Sequence, residues 1–238
     1  MFIAIDERNG KRISADDAIF VDSAFFCPCC YENLVLKKGF VKATHFAHQS
    51  RKHCDSFYDS SNVMSEWHRN WQECFPKENR EIAFIRGEER HIADIFSKNY
   101  VIEFQHSPIS AGIFLQRTKF YIKCCKKVIW LFDFREECAC REDINGNNWR
   151  KCYEYEKNKW AWKNPKRTFD KVQINFEYYK KHICLFFQDE LDHIRKIVWN
   201  IHRWDDTKRD YINSYTRFCT KGDWSPSEFL KSIQCGLF

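Results

Sequence analysis

The chain has 238 residues, of which 44% are apolar and 17% aromatic, enough to bury a core and to exclude the disordered and low-complexity classes. Its 39 Lys and Arg exceed its 33 Asp and Glu by six, so the charge allows nucleic-acid binding without requiring it. The length suits one sizeable domain or two small ones.

The 13 cysteines are an odd number, so at least one has no disulfide partner within the chain. No secretory leader is expected, because Asp6 and Glu7 interrupt the apolar residues near the N-terminus. No run approaches the roughly 20 apolar residues that span a bilayer. We therefore predict a cytoplasmic protein whose clustered cysteines bind metal rather than form disulfides.

The first 60 residues are predicted to form a small module of short strands. Residues 2–5 form one strand, and residues 34–41 form a hairpin with Gly39 in its turn. A module of this size buries little apolar surface by itself, so a bound metal would add needed stability.

Cysteines and histidines with zinc-ligand spacing are concentrated in this module. Cys27 and Cys30 form a C-x-x-C pair, which can supply two corners of a tetrahedral zinc site from one tight turn. The preferred ligand set is Cys27, Cys30, His48 and Cys54. His45 is the alternative third ligand, and Cys29 could replace a neighbouring cysteine. The other interpretation is that these thiols are buried as small apolar groups without metal.

Residues 61–135 are predicted to fold as helix, three strands, helix and strand, which is a compact α/β pattern. Ser65 caps the first helix, and Trp67 and Trp71 repeat at the spacing of one helical face. The later strands and the second helix are predicted, in chain order, at residues 82–85, 92–96, 100–104, 110–123 and 128–132.

Two carboxylates interrupt the second and third of these strands. Glu103 and Gln105 share one strand face by alternation, and Asp94 can approach that face across a short turn. Unpaired buried carboxylates are costly, so a converging pair indicates a shared cation, and oxygen ligands favour Mg²⁺ or Mn²⁺. Glu66 on the preceding helix could add a third carboxylate. Such a site suits phosphodiester hydrolysis.

Arg117 and Tyr121 are four residues apart, so they share one face of the second helix. Arg117 could hold a phosphate or pair with an acid of the site. The structural alternative is that Asp94 and Glu103 bind no metal and instead form ion pairs with Arg90 or Arg117.

Residues 136–238 are predicted to form a C-terminal α/β extension. Its clearest elements are a strand pair at residues 183–187 and 194–199 and a short helix after Ser225. The extension either completes the preceding core or docks a partner, including a second copy of the chain.

Several short motifs agree in order and spacing with one known family. They are Cys27-Pro28-x-Cys30, His45-Phe46-Ala47-His48, Ser65-Glu66-Trp67-His68, Ala93-Asp94-Ile95, Glu103-Phe104-Gln105-x-Ser107, and Arg117-x-x-x-Tyr121 followed by Val128-Ile129-Trp130. Over residues 25–135 the chain resembles the competence protein CoiA family. The resemblance implies a zinc-finger-like N-terminal module and an α/β nuclease domain of the restriction-endonuclease-like PD-(D/E)XK type.

The resemblance also implies roles for individual residues. Asp94 matches the metal-binding acid of the first core strand of the motif, Glu103 matches the second acid, and Glu66 matches the helical acid. Gln105 stands where the usual motif has Lys, and a neutral amide can only donate or accept hydrogen bonds. The supporting residues that the resemblance implies are His68, Arg117 and Tyr121.

The function that the resemblance implies is a metal-dependent DNA nuclease with catalytic Mg²⁺ or Mn²⁺ and structural Zn²⁺. Its setting would be DNA processing during transformation, recombination or antiphage defence. The alternative is a catalytically weak or inactive nucleic-acid-binding adaptor, which the missing Lys favours. The expected partners are DNA and further subunits of a competence or defence complex, with no membrane contact.

Overall fold

The computed structural model describes residues 1–18, 24–38, 43–49, 54, 64–107, 109–124, 127–163, 181–198 and 215–238. The predicted turn at Gly39 lies outside these residues. The described residues form two compact units, Met1–Ser97 and Lys98–Phe238.

The first unit begins with an antiparallel sheet of five short strands in the order β2-β1-β3-β4-β5. The strands are β1 Ile3–Asp6, β2 Arg12–Ser14, β3 Phe25–Phe26, β4 Asn33–Lys37 and β5 His45–His48. Leu34 and Leu36 alternate with exposed neighbours along β4, so one face of the sheet is buried. The core on that face also contains Cys27, Cys29 and Cys54.

A helix and a hairpin complete the first unit. They comprise α1 Glu66–Glu73, a 3₁₀ turn at Lys77–Asn79, β6 Arg80–Arg86 and β7 Glu89–Ser97. The predicted Ser65 cap is confirmed, because its side chain accepts a hydrogen bond from the backbone N–H of His68. Trp67 and Trp71 are buried on one face of α1, as their spacing predicted. Strands β6 and β7 pair in antiparallel register.

The elements of the second unit are β8 Tyr100–Gln105, α2 Ala111–Cys124, β9 Lys127–Asp133, α3 Arg135–Cys138, β10 Arg141–Glu142, β11 Asn148–Trp149, β12 Cys152–Glu156, β13 Lys159–Lys163, β14 Ile183–Gln188, β15 Ile194–Val198, β16 Tyr215–Trp224 and α4 Pro226–Gln234. Seven of these strands lie side by side in the order β12-β13-β16-β15-β14-β9-β8. Strands β10 and β11 form a separate two-stranded ribbon.

Three neighbouring strands of the second unit run parallel. β8 pairs with β9, and β14 pairs with the other side of β9, so their carboxyl ends lie at one edge of the sheet. The predicted pairing of residues 183–187 with residues 194–199 is confirmed as the antiparallel pair β14 and β15, although Trp199 lies outside the described residues. The C-terminal segment thus extends the sheet that β8 and β9 begin.

Helix α2 packs on β9 through aromatic side chains. The rings of Phe114 and Trp130 have centroids 4.7 Å apart, and the Trp130 Nε1 donates to Thr118 Oγ1 at 3.1 Å. This packing fixes the face of α2 that carries Thr118 against the sheet. Among the described residues, no helix has the length and apolar character needed to cross a membrane.

Candidate functional site

The structure brings four cysteine and histidine side chains together in the first unit. The ligand atoms of Cys27, Cys30, His48 and Cys54 all lie within 4.8 Å of one another. Cys27 Sγ is 3.6 Å from Cys54 Sγ, and Cys30 Sγ is 3.3 Å from His48 Nε2. In a tetrahedral zinc site with Zn–S bonds of about 2.3 Å, ligand sulfurs lie roughly 3.8 Å apart. The cluster could therefore bind zinc.

Local backbone structure places these four ligands. Cys27 directly follows β3, and its carbonyl accepts from the Tyr31 N–H at 2.9 Å, which closes the turn that contains Cys30. Tyr31 has a φ of 60°, a left-handed conformation that redirects the chain into β4. His48 ends β5 opposite Leu34 of β4. The C-x-x-C turn and the end of β5 are thus held by the same sheet.

The other two candidates in this region lie outside the cluster. His45 is at the opposite end of β5 from His48, and its Nδ1 lies 2.9 Å from the carbonyl oxygen of Ala43. Cys29 is buried, and its backbone N–H donates to Cys27 Sγ at 3.4 Å. The geometry therefore selects His48 rather than His45 for the group.

Without a bound cation, ionisation of the Cys27 and Cys30 thiols is unfavourable. The hydrogen bond with Cys54, and then burial, raise the pKa of Cys27 well above its ordinary value. Burial likewise raises the pKa of Cys30. A bound divalent cation would reverse this balance, because metal-bound cysteines are thiolates.

The second group in the first unit surrounds Asp94 of β7. His68 Nε2 lies 3.0 Å from Asp94 Oδ1, and Gln72 Nε2 donates to the same oxygen at 3.4 Å. His68 and Gln72 are one helical turn apart on α1, so they share a face. Asp94 is 15% exposed and Gln72 is buried. Helix α1 therefore supplies polar contacts to this carboxylate.

Glu66 occupies a different side of α1. It is the first residue of the helix and is exposed. At 100° per residue, Glu66 is rotated about 200° from His68 around the helix axis. The face that contacts Asp94 thus carries His68 rather than Glu66.

The group in the second unit surrounds Glu103 of β8. Glu103 is buried, and Arg117 Nη2 donates to Oε1 at 3.0 Å and to Oε2 at 2.9 Å. Arg117 also donates to the hydroxyl of the fully buried Tyr121 at 3.2 Å. The structure therefore contains the Glu103–Arg117 ion pair that the sequence offered as an alternative to metal binding.

Gln105 ends β8 in register with Phe132 of β9. It is partly buried, and its Nε2 donates to the backbone carbonyl of Ser107. The amide is therefore held by the chain segment that follows β8.

A further polar cluster, which sequence reasoning missed, lies where β8 and β9 end. His106 Nδ1 is 2.8 Å from Asp133 Oδ2, and Arg135 Nε and Nη2 each donate to Asp133 at 2.9 Å. Burial raises the pKa of Asp133, but the hydrogen bonds from Arg135 and His106 outweigh it and lower that pKa below its ordinary value. The available signal was an acid directly after the apolar run Val128–Phe132.

Comparison with known families gives two matches. Residues 12–57 match the family described as competence protein CoiA, N-terminal domain, and residues 89–195 match competence protein CoiA, nuclease-like domain. The chain belongs to the competence protein CoiA-like family. No curated protein and no solved structure matches it.

The two matched ranges, residues 12–57 and 89–195, contain different candidate residues. The N-terminal match contains the whole Cys27, Cys30, His48 and Cys54 cluster. The nuclease-like match contains Asp94, Glu103, Gln105, Arg117 and Tyr121, whereas Glu66 and His68 precede it. It also continues to residue 195, beyond the resemblance over residues 25–135, and so takes in β14, which pairs with β9.

Proposed function

We propose that this CoiA-like protein is a metal-dependent DNA nuclease of the PD-(D/E)XK type. The observation that carries the proposal is that one nuclease-like match, over residues 89–195, spans both Asp94 and Glu103. Each acid lies within a strand, and eight residues lie between them in the sequence. In this proposal the two carboxylates hold one Mg²⁺ or Mn²⁺ ion, for which oxygen donors are suited.

The bound cation would activate water and stabilise charge on the phosphoryl group and the leaving oxygen. Asp94 would be oriented for this by His68 and Gln72, which contact its Oδ1. Glu103 would be oriented by Arg117, whose Nη2 contacts both of its oxygens. Arg117 is therefore a positioning residue in this proposal, and Tyr121 supports it.

Gln105 would position the attacking water or a phosphate oxygen. Its amide is neutral and donates to the Ser107 carbonyl, so it cannot supply the positive charge of the usual Lys. We assign no metal contact to Glu66, because helical rotation separates it from the α1 face that contacts Asp94. The sequence predicted Glu66 as a third carboxylate of the metal site. In this proposal His68, rather than Glu66, is the α1 side chain that acts there, through its contact with Asp94.

We also propose that the protein binds a structural zinc ion. It would be held by Cys27, Cys30, His48 and Cys54, a donor set typical of closed structural zinc sites. All four positions would be occupied by protein ligands, so this ion would support the module rather than take part in hydrolysis.

Hydrolysis is tested with purified zinc-loaded protein and linear single- and double-stranded DNA. We expect cutting with added Mg²⁺ or Mn²⁺ and none in buffer without added divalent metal. A chelator is avoided because it would also strip zinc. The Asp94→Ala, Glu103→Ala double variant should cut at least about 10³-fold more slowly, because metal stabilises the transition state by several kcal/mol.

The Glu136→Gln variant is the matched control, since Glu136 is exposed on α3 and has no proposed role. Its cutting rate should equal that of the unmodified protein. DNA binding without cutting, whichever divalent metal is added, would contradict the proposed nuclease activity. It would support the alternative of an inactive nucleic-acid-binding adaptor, which the replacement of the usual Lys by Gln105 favours. The absence of both binding and cutting would reject both functions.

A further inference from the structure

One residue of β6, Glu81, has an unusual backbone conformation for a strand. Its φ is 48°, in the left-handed region that glycine adopts at little cost and other residues adopt rarely. The two neighbours of Glu81 pair with the two neighbours of Asp94 in β7, so Glu81 lies opposite Asp94 in the ladder. The left-handed residue therefore adjoins one of the two acids to which the proposed function assigns the divalent cation.

The Glu81 side chain is buried and binds the start of β1. Its Oε1 and Oε2 accept from the backbone N–H of Phe2 at 3.0 Å and 2.8 Å, and Oε2 also accepts from the N–H of Ile3 at 2.8 Å. Residues that are opposite each other in a regular ladder carry their side chains on the same face, so an extended Glu81 would place its carboxylate beside Asp94. With the left-handed backbone, the carboxylate reaches β1 instead.

Arg12 of β2 holds the backbone of the same residue. Its guanidinium donates to the carbonyl oxygen of Glu81 at 3.2 Å, to that of Glu78 at 3.0 Å, and to that of Arg80. The five-stranded sheet thus contacts Glu81 at two points, through its carboxylate and through its carbonyl group.

Apolar packing joins the same hairpin to the five-stranded sheet. Ala83 and Ile92 pair across β6 and β7, and both pack against the buried core of that sheet. Asp94 itself is contacted by His68 and Gln72 of α1. The position of β7 at Asp94 is therefore set by the N-terminal sheet as well as by α1.

The conformation of Glu81 exceeds what a simple anchor requires. Hydrogen bonds between the sheet and the hairpin could be made by an extended polar residue elsewhere on β6. A left-handed residue other than glycine costs free energy, persists only where its surroundings impose it, and is concentrated at functional sites. At Glu81 this strain coincides with the position opposite Asp94, which indicates a role in placing that acid.

We propose that Glu81 is a positioning residue for Asp94: by binding β1, it fixes β7 where Asp94 can hold the divalent cation. This role in metal binding rests on the proposed function. Replacing a residue that supports a metal ligand typically lowers the metal affinity by roughly 10–100-fold. The N-terminal sheet would thus contribute to the metal site although it supplies no ligand to that cation.

Calorimetric titration of Mn²⁺ into the zinc-loaded protein tests this role. Glu81→Gly permits the same φ but removes the carboxylate, and should weaken Mn²⁺ binding at least about tenfold. If Glu81 were only a strained turn, Glu81→Gly would leave the Mn²⁺ affinity unchanged and raise the temperature of thermal unfolding. Glu88→Gly is the matched control, because it removes the same side chain from the exposed turn of the same hairpin.

Arg12→Gln gives the most discriminating result, and it keeps the proposal testable if Glu81→Gly does not fold. Removing a positive charge should strengthen cation binding if only net charge matters. We expect binding to become several-fold weaker instead, because Glu81 loses the guanidinium that holds its carbonyl group. Lys11→Gln removes the same charge from the exposed neighbouring residue, and should not weaken Mn²⁺ binding.

Hydrogen exchange of the β7 amides gives a second measurement that needs no divalent cation. Glu81→Gly should speed exchange around Asp94 about tenfold relative to Glu88→Gly, since β7 loses its anchor on β1. The proposal is overturned if this exchange is unchanged, or if Glu81→Gly and Arg12→Gln bind Mn²⁺ as tightly as their matched controls. Absence of Mn²⁺ binding by the unmodified protein would contradict the proposed function itself, so the two failures are distinguishable.

Discussion

Zinc removal is expected to unfold the N-terminal module, residues 1–60. The five strands of this region contain two to five residues each, and Cys27, Cys29 and Cys54 are part of its core. Structural zinc contributes roughly 10–16 kcal/mol of apparent binding free energy in small zinc-binding peptides, which exceeds the stability of most small domains. Hydrogen exchange should show lost backbone protection across β1–β5 after chelation.

Cysteine substitutions connect this loss of protection to the four ligands. Cys27→Ser should reduce the zinc content to less than about half an equivalent and produce the same exchange pattern. Cys74→Ser is the matched control, because Cys74 is exposed and lies outside the cluster. Zinc content unchanged by Cys27→Ser, or full backbone protection after zinc removal, would contradict a structural zinc site.

Arg117→Leu is expected to destabilise the protein by about 3–5 kcal/mol, because it leaves the buried Glu103 carboxylate without its cation. The Arg117 side chain is itself only 16% exposed, so water cannot readily replace it. Replacing both residues with Leu should recover most of the lost stability, since well-packed apolar residues can substitute for a buried ion pair. Urea unfolding measures the free energy of unfolding for each variant.

An exposed ion pair provides the comparison for this result. Lys159 and Glu156 approach to 2.6 Å on the surface, and Lys159→Leu should leave the unfolding midpoint nearly unchanged. A cost below about 1 kcal/mol for Arg117→Leu would show that Glu103 does not depend on Arg117. Arg117 would then lose its role as the positioning residue of Glu103.

Local patterns predicted the elements that hold the candidate residues. The Ser65 cap and the spacing of Trp67 and Trp71 correctly indicated α1, and the short apolar run around Glu103 indicated β8. These features follow from neighbouring residues, because capping, helical periodicity and strand alternation act over a few positions. The C-x-x-C spacing likewise led to the cluster that β3 and β5 bring together.

These local patterns could not predict which strands pair when they are far apart in the sequence. β14 lies beside β9, although about 50 residues separate them in the sequence, and only the folded sheet reveals this parallel register. The ten-residue strand β16 was not predicted, because its polar sequence has no clear alternation. Glu66 illustrates a different difficulty, since membership of α1 did not establish which side of the helix it occupies.

The most direct measurement is a calorimetric titration of Mn²⁺ into the zinc-loaded protein. The proposed function predicts about one bound equivalent, with binding lost in both Asp94→Asn and Glu103→Gln but retained in Glu136→Gln. Both single variants are needed, because a cation shared by the two carboxylates depends on each of them. No Mn²⁺ binding, or equal binding by all these variants, would contradict a metal held by Asp94 and Glu103.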